Sequence, residues 1–311
     1  MPIIRCVMMQ RNEGDKFARW LSHYAGLFGF ENLTILDNGS TDPFTLALLA
    51  QAERQGSTIR REFSSNGDFA NRGHHVANII REWDANSEYD FALPVTCHEL
   101  LAVCTDRGLS LATSDIHAEF ESLLNEQSAL RLEFSLFNVP GKPGWYAPAR
   151  HYTKDFLPAG SIQSCDNDNH TLLSALAPGH RSTRFTYFHD YHTTYEAWQL
   201  KLRTLAGGHT ETGSLDALRP YLSTTNPDQA LTVGNFLLTE KEYTGLYDNE
   251  IQIFAPTGSS SVITMRHGSA EPVIWNGEDY LRLNPDIASS TLGPLGHYLM
   301  SGYQENRQIS D

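Results

Sequence analysis

The chain has 311 residues, of which 40% are hydrophobic, and it carries a formal net charge of −14. A chain of this length and composition can bury a substantial core, which predicts one large domain or a large domain with appendages. The excess of acidic residues argues against a general nucleic-acid-binding protein, because phosphate backbones are bound largely through clustered lysine and arginine.

The sequence predicts a cytoplasmic protein. No apolar run approaches the roughly 20 residues that a membrane-spanning helix needs. The first residues, MPIIRCVMMQRNE, become charged before the apolar region of a signal peptide could form. The four cysteines, Cys6, Cys97, Cys104 and Cys165, show no CxxC spacing, which predicts free thiols in a reducing compartment.

The first half of the chain alternates strand and helix patterns. PIIRCVMMQ predicts a buried strand, and DKFARWLSHYAGLFG predicts an amphipathic helix with Gly29 at its C-cap. NLTILDNGSTD predicts a second strand that ends in a polar loop. This alternation indicates a parallel sheet with right-handed crossovers, in which ligands bind at the carboxyl ends of strands. Asp37 to Asp42 occupy such a position.

The following segments continue the α/β pattern and then become less regular. GDFANRGHHVANIIREWDA and SDIHAEFESLLNEQSA predict helices, and ALRLEFSLFNV predicts a strand. EYDFALPVTCHELLAV predicts a buried strand followed by a polar turn, which places Thr96 to Glu99 at a strand's carboxyl end. A helix is predicted for TTYEAWQLKLRTLAGG. Residues 207–272 are rich in small and polar residues, which predicts irregular structure with one β-hairpin.

Residues 8–42, MMQRNEGDKFARWLSHYAGLFGFENLTILDNGSTD, resemble the opening of glycosyltransferases of the family 2 and family 92 type. The positions that match are Asn12, Glu13, Trp20, His23, Tyr24, Gly29, Asp37, Asn38, Ser40 and Asp42. A second match in residues 189–203 consists of His189, Thr194, Trp198 and Lys201. The resemblance implies a GT-A fold, a Rossmann-like and mostly parallel sheet flanked by helices, with the nucleotide-sugar site between the two matches.

The resemblance also implies which residues contact the donor. They are Asn12, Glu13, Asp37, Asn38, Ser40, Asp42, Arg72 and Lys201. Asp37 would hydrogen-bond the uracil or ribose, and Arg72 lies on the helix that approaches the diphosphate in the relatives. The alternatives are an Asx-turn at Asp37, with Asp42 as the N-cap of the next helix, and a surface salt bridge at Arg72.

A divalent ion is the expected cofactor, but the usual motif for it is altered. In these relatives a strand ends in Asp-x-Asp-Glu-Phe, and Thr96-Cys97-His98-Glu99-Leu100 takes that place here. Mg²⁺ or Mn²⁺ usually stabilises the departing sugar diphosphate, and such ions prefer oxygen ligands. In the absence of the two aspartates, His98 and His189 could hold one metal with help from Glu99. The alternative is a metal-independent or inactive site.

An inverting transferase also needs a carboxylate that takes the proton of the acceptor hydroxyl. The segment CDNDNHTLL places Asp166, Asp168 and His170 within five residues. Asp168 is the predicted base, with Glu99 as the second candidate catalytic carboxylate. A solvated turn would show the same sequence at CDNDNHTLL.

The last forty residues resemble a short helical module found at the ends of bacterial glycosyltransferases and of other surface-polysaccharide or secreted proteins. The positions that match are Tyr280, Asn284, Pro285, Asp286, His297, Tyr298, Gly302, Glu305 and Arg307. The module implies a bacterial source and docking on a partner protein or on the catalytic domain. The predicted division is a GT-A domain in residues 1–210, an extension in 211–272 and this module in 273–311.

The sequence therefore predicts an inverting glycosyltransferase that transfers a hexose from a UDP-sugar to a glycan or another acceptor in bacterial polysaccharide or glycoconjugate synthesis. The alternative is a catalytically degenerate relative that binds a glycan or a protein without transfer. A third hypothesis is a metallohydrolase built on His189, Asp190 and His192, although no His-Glu-x-x-His spacing supports it.

Overall fold

The structure is a computed structural model that describes residues 1–200, 238–256, 263–268 and 270–310. The predicted α/β fold class is confirmed, because helices pack against two large sheets and the C-terminal residues form short helices. Within these ranges no helix combines the length and the apolar composition of a membrane span.

The first sheet contains seven strands among the described residues and is mostly parallel. Its order across the sheet is β13 (His180–Ser182), β7 (Ala129–Leu132), β10 (Lys154–Pro158), β4 (Phe91–Pro94), β1 (Ile4–Gln10), β2 (Leu33–Asp37) and β3 (Thr58–Arg60). Strands β4, β1, β2 and β3 are parallel neighbours, and β10 runs antiparallel to both β4 and β7. The parallel half therefore directs the carboxyl ends of β1, β2 and β4 toward one edge.

The second sheet is largely antiparallel and contains eight described strands. Its order is β17 (Val273–Ile274), β16 (Thr264–His267), β15 (Ile251–Phe254), β9 (Trp145–Ala149), β8 (Ser135–Asn138), β14 (Phe185–His189), β5 (Glu99–Thr105) and β6 (Gly108–Ser110). A separate hairpin joins β11 (Ile162–Cys165) to β12 (Leu172–Ser174). The antiparallel pair β15 and β16 supplies a hairpin within residues 207–272, as predicted.

Five helices lie wholly within the first described range, residues 1–200. They are α1 (Gly14–Phe28), α2 (Pro43–Arg54), α3 (Asn66–Ala70), α4 (Arg72–Asn86) and α5 (Thr113–Ser122). Residues 195–200 are also helical. Later helices and helical turns are Glu240–Thr244, Gly277–Leu283, Pro285–Ser289, Gly293–His297 and Tyr298–Gly302, and an early 3-10 turn is Phe30–Asn32. Helix α1 forms as predicted, since its apolar residues recur on one face and are buried.

Two segments that were predicted as single elements are divided in the structure, and a third contains one more strand than predicted. EYDFALPVTCHELLAV forms β4 and then the predicted polar turn, where Pro94 donates no hydrogen bond and the Glu99 N–H bonds back to the Thr96 carbonyl, and its last residues begin β5. ALRLEFSLFNV likewise supplies β7 to one sheet and β8 to the other. GDFANRGHHVANIIREWDA forms α3 and α4, which meet at Asn71. The helix predicted for SDIHAEFESLLNEQSA ends early, at Ser122.

The C-terminal residues share a hydrophobic core with the second sheet. Their buried members include Trp275, Tyr280, Leu295, Tyr298 and Leu299, which belong to the same cluster as residues of the sheet. Gly277 packs so closely that a Cβ atom there would lie 1.9 Å from the Asp106 carbonyl oxygen. The module thus docks on the rest of the described chain. The sequence offered this as one alternative, and a partner protein as the other.

Candidate functional site

A cleft of about 440 Å³ lies where the carboxyl ends of β1 and β4 meet α3, α4 and the end of β14. This is the sheet edge that the alternation of strands and helices predicted for a ligand. Its lining residues are Met9, Glu13, Lys16, Phe69, Arg72, Val95, Thr96, Cys97, His98, Tyr152, Asn169, His189, Tyr191 and Thr193. Four predicted site residues, Glu13, Arg72, His98 and His189, are brought together here.

Asp37 lies beside the cleft and is already hydrogen-bonded. Its Oδ1 accepts the Nε2 of Gln10 at 3.1 Å and the backbone N–H of Ser40 at 3.2 Å. Asn38 donates to the carbonyls of Phe63 and Ser65 at 2.7 and 2.8 Å, which fixes the loop that leads into α3. These bonds give the end of β2 a defined shape, and contact of Asp37 with a donor stays a prediction.

Asn12 and Asp42 connect the loops that follow β1 and β2. The Asn12 side-chain oxygen accepts the N–H groups of Thr41 and Asp42 at 2.7 and 2.8 Å. Asn12 has a φ of +56°, a left-handed conformation that asparagine tolerates better than most residues. Asp42 is the N-cap of α2, because its side chain accepts the Thr45 N–H at 2.7 Å. This confirms the capping role that the sequence offered as the alternative to donor contact. The Ser40 hydroxyl joins this network by accepting the Asn12 N–H.

Two cationic side chains line the cleft. Arg72, at the first position of α4, lies 4.7 Å from the Phe69 ring centroid and forms an ion pair with Asp168. Lys16, in the first turn of α1, makes no ion pair within the described part of the chain. Sequence reasoning named Arg72 and missed Lys16, although Lys16 lies one turn after the matched Glu13.

The loop that carries Asp168 is fixed against the start of α4. A Cβ atom on Gly73 would lie 1.6 Å from the Asp166 carbonyl oxygen, so only glycine permits this approach. The Gly73 N–H also donates to the Asn167 carbonyl at 3.2 Å. The Asp168 side chain is 68% exposed at the cleft rim, in contact with Arg72. Asp168 as the base stays a prediction.

The two predicted metal ligands lie on one wall of the cleft. The rings of His98 and His189 are nearly parallel, with an interplanar angle of 10° and centroids 6.3 Å apart. His98 Nε2 lies 3.7 Å from Glu13 Oε1. Burial is the main cause that lowers the pKa of His189 to about 4, and Lys154 lowers it further against the opposing effect of Glu99. His189 is therefore neutral at pH 7, as a metal ligand or proton acceptor must be.

Glu99 lies beneath the cleft and is not among its lining residues. Its side chain and that of Lys154 are both fully buried and form an ion pair. Burial by itself would raise the pKa of Glu99, but Lys154 and His189 oppose it and the net pKa is about 2. The carboxylate predicted to assist a metal or catalysis is thus ionised and bound to an ammonium group. No feature of the sequence marked Lys154 as its partner.

The described residues contain no group of three or more His, Cys, Asp and Glu side chains arranged to hold a metal ion. Burial raises the pKa of the Cys97 thiol, which leaves it protonated and unsuited to metal binding. Glu99 is occupied by Lys154. A shared cation at His98 and His189 stays a prediction, and the carboxylate of Glu13 lies 3.7 Å from His98.

The residues of the metallohydrolase hypothesis have separate partners. Asp190 is bound by Arg19 and accepts the Tyr146 hydroxyl at 2.8 Å. The His192 ring contacts Tyr247, whose hydroxyl is 2.9 Å from Nε2. The sequence cluster therefore does not form a metal-binding group within the described residues. Lys201, which was predicted to contact the donor, lies outside the described residues.

No protein-family model matches the sequence, and no curated protein matches it. Among solved structures, TarS residues 1–349 from S. aureus has 12% identity and a TM-score of 0.34, with 76% of this chain and 70% of that chain covered. Full TarS gives 12% identity and a TM-score of 0.35, with 87% and 59% covered. Mannose-1-phosphate geranyltransferase from Thermus thermophilus gives 12% identity and a TM-score of 0.26, with 93% and 80% covered. Similarity at this level does not establish a shared activity.

Proposed function

We propose that the protein is a nucleotide-sugar-dependent glycosyltransferase that acts in bacterial polysaccharide or glycoconjugate synthesis. The donor is a UDP-hexose, the acceptor is a glycan or glycoconjugate, and the configuration of the sugar is inverted. The observation that carries the proposal is the cleft at the carboxyl edge of β1 and β4, which has Lys16 and Arg72 on its lining. Parallel α/β sheets bind nucleotides at this edge.

The charges of the cleft suit a diphosphate. Lys16 offers an ammonium group, and Arg72 offers a planar guanidinium that can bind phosphate oxygens in pairs. Arg72 also begins the 15-residue helix α4, whose N-terminus carries partial positive charge. Three sources of positive potential thus lie beside one cavity in a chain with a formal net charge of −14. The contrast favours a local anionic ligand over a polyanion.

Donor binding and the proposed base are linked through Arg72. In the structure the Asp168 carboxylate is bound to the Arg72 guanidinium. Phosphate oxygens that bind Arg72 would compete for that guanidinium and release the Asp168 carboxylate to the acceptor. Asp168 could then take the acceptor's proton after the donor has bound.

A divalent ion would be held by His98 and His189, with Glu13 nearby, and would supply charge neutralisation at the phosphates. Two imidazoles are fewer than the three protein ligands of a typical catalytic zinc site. Phosphate oxygens of the donor would supply further ligands. We therefore expect Mn²⁺ alone to bind weakly and Mn²⁺ with UDP to bind tightly.

Isothermal titration with UDP, in the presence and absence of Mn²⁺, tests the proposal directly. Lys16→Met should weaken binding, and Arg54→Met provides a matched control because Arg54 is exposed at the far end of α2. No saturable binding of UDP under either condition would remove the proposal.

The second candidate is a binding protein built on the same fold. It is favoured by one observation, that both predicted catalytic carboxylates are already paired with cations, Glu99 with Lys154 and Asp168 with Arg72. Hydrolysis or transfer of a UDP-sugar that is lost in Asp168→Asn would exclude this candidate. UDP binding without any turnover, on a panel of sugars and acceptors, would favour it.

A further inference from the structure

A buried pair of opposite charges lies beneath the cleft. The Glu99 carboxylate and the Lys154 ammonium form an ion pair, and both side chains are 0% exposed. Removing such groups from water costs free energy, and apolar side chains of similar volume are often as stable or more stable in their place. Stability alone therefore does not account for this pair.

The pair joins the two sheets where the chain passes between them. Lys154 begins β10 of the first sheet, and Glu99 begins β5 of the second. Residues 95–98, the crossing segment, lead from β4 to β5. Glu99 Oε2, which binds Lys154, also accepts the backbone N–H of Thr96 at 2.7 Å. One carboxylate oxygen thus fixes the crossing segment against both sheets.

The crossing segment is one wall of the cleft, since all four of its residues line it. His189 is the cross-strand partner of Glu99 in β14, and its ring is parallel to that of His98. The Lys154 ammonium lies 5.7 Å from the centroid of Tyr187, two residues before His189 on β14. Both imidazoles are therefore carried by backbone that adjoins the buried pair.

We infer that Glu99 and Lys154 are positioning residues, which hold the wall formed by His98 and His189 at a fixed distance from the bound donor. The inference rests on the proposed function for the identity of that ligand. Neither side chain touches the donor. Glu99 acts through the Thr96 N–H and through its strand pairing with His189, and Lys154 holds Glu99 in place.

The test uses two variants of the full chain. Glu99→Leu/Lys154→Met replaces the pair by apolar side chains and removes the acceptor for the Thr96 N–H. Glu99→Gln/Lys154→Met also removes both charges but retains an oxygen that can accept this N–H. Arg131→Met/Asp155→Leu is the control, because that ion pair joins β7 to β10 and does not line the cleft.

Two measurements follow the position of the wall. The first is the Cε1–H signals of His98 and His189 in protein labelled at histidine, assigned with His98→Gln and His189→Gln. The His189 signal is displaced by the rings of Phe137 and Tyr152, whose centroids lie 4.9 and 5.0 Å away. The second is the UDP dissociation constant.

In Glu99→Leu/Lys154→Met, we expect both histidine signals to move toward values for unstructured histidine. The UDP dissociation constant should rise about tenfold, the loss that one misplaced hydrogen bond produces. Glu99→Gln/Lys154→Met should lie near the wild type in both measurements, as should the control. Wild-type signals and affinity in a folded Glu99→Leu/Lys154→Met would overturn the inference. So would equal displacement in the two variants. If the wild type does not bind UDP, the proposed function fails, and the histidine signals still decide whether the pair positions the wall.

Discussion

Lys16 should contribute more to diphosphate binding than Arg72, although Arg72 is the residue that the sequence singles out. Lys16 lines the cleft without an ion pair among the described residues, whereas Arg72 is bound to Asp168. A phosphate that binds Lys16 displaces only water. One that binds Arg72 must compete with a carboxylate that is already in place.

The expected magnitude follows from the strength of hydrogen bonds to charged groups, about 1.5–3 kcal/mol. Lys16 is half-buried, so solvent screening places it near the lower end, at about 1.5–2 kcal/mol. Lys16→Met should therefore raise the UDP dissociation constant about 10- to 30-fold. Arg72→Met should raise it by a smaller factor, since in the wild type a phosphate must displace Asp168 from Arg72 before it gains that interaction. Asp168→Asn should leave UDP affinity equal to or tighter than that of the wild type.

Isothermal titration at one fixed salt concentration measures these values, with Arg54→Met as the control for a general loss of positive charge. The Lys16→Met variant should keep the melting temperature of the wild type, because Lys16 makes no ion pair among the described residues that its loss would break. Lys16→Met with unchanged UDP affinity would refute the reasoning. A larger loss in Arg72→Met than in Lys16→Met would show that Asp168 does not compete.

Three further predictions concern stability. Gly73→Ala should destabilise the protein by about 1–3 kcal/mol in denaturant titrations, because the new Cβ would overlap the Asp166 carbonyl and force the loop away. Gly26→Ala is the control, because a Cβ atom at that position would meet no atom within 4 Å. Deletion of residues 273–311 should give protein that binds a hydrophobic dye and elutes as aggregates, and a compact, dye-free product would contradict the shared core. Burial lowers the pKa of His23 to about 4 in the folded state, against 6.5 when exposed, so the unfolded chain binds a proton that the folded chain does not. Stability should fall by about 3 kcal/mol as the pH drops from 6.5 to 4, and His23→Gln should show a shallower decrease over that range.

Regular periodicity made the first half of the fold predictable. Phe17, Trp20 and Tyr24 recur at helical spacing, and they form the buried face of α1 as predicted. The run of apolar residues in Ile4–Gln10 predicts a buried strand, and it forms β1. The prediction of a single strand was wrong where a strand-like run changes sheets, as between Leu132 and Ser135. Local composition is the same on either side of such a crossing, because both strands are buried, and only tertiary contacts decide where one ends.

The candidate site shows the same division. Motif positions placed Glu13, Arg72, His98 and His189 around one cavity, because they lie at the ends of strands or the start of helices. Lys154 was not predicted, since a single lysine in KDFLP carries no local signal that it will be buried. Its partner Glu99 is 55 residues away along the chain, and the two meet only once β10 has paired with its neighbours β4 and β7 in the folded sheet.

The order of strands in the second sheet determines when that sheet can be completed during synthesis. Strand β5 pairs with β14, whose residues lie 82 to 90 positions later, and a Cβ atom placed on Gly296 would lie 3.7 Å from the Cys104 side chain. The ribosome therefore releases β5 long before the groups that cover it exist. Contacts so distant along the chain form slowly, because loop closure must precede them. The first sheet can pair β1 with β2 and β4 much earlier. The nascent chain should therefore pass through a stage with the parallel half of the first sheet formed and the apolar face of β5 exposed, which is the kind of surface that chaperones bind.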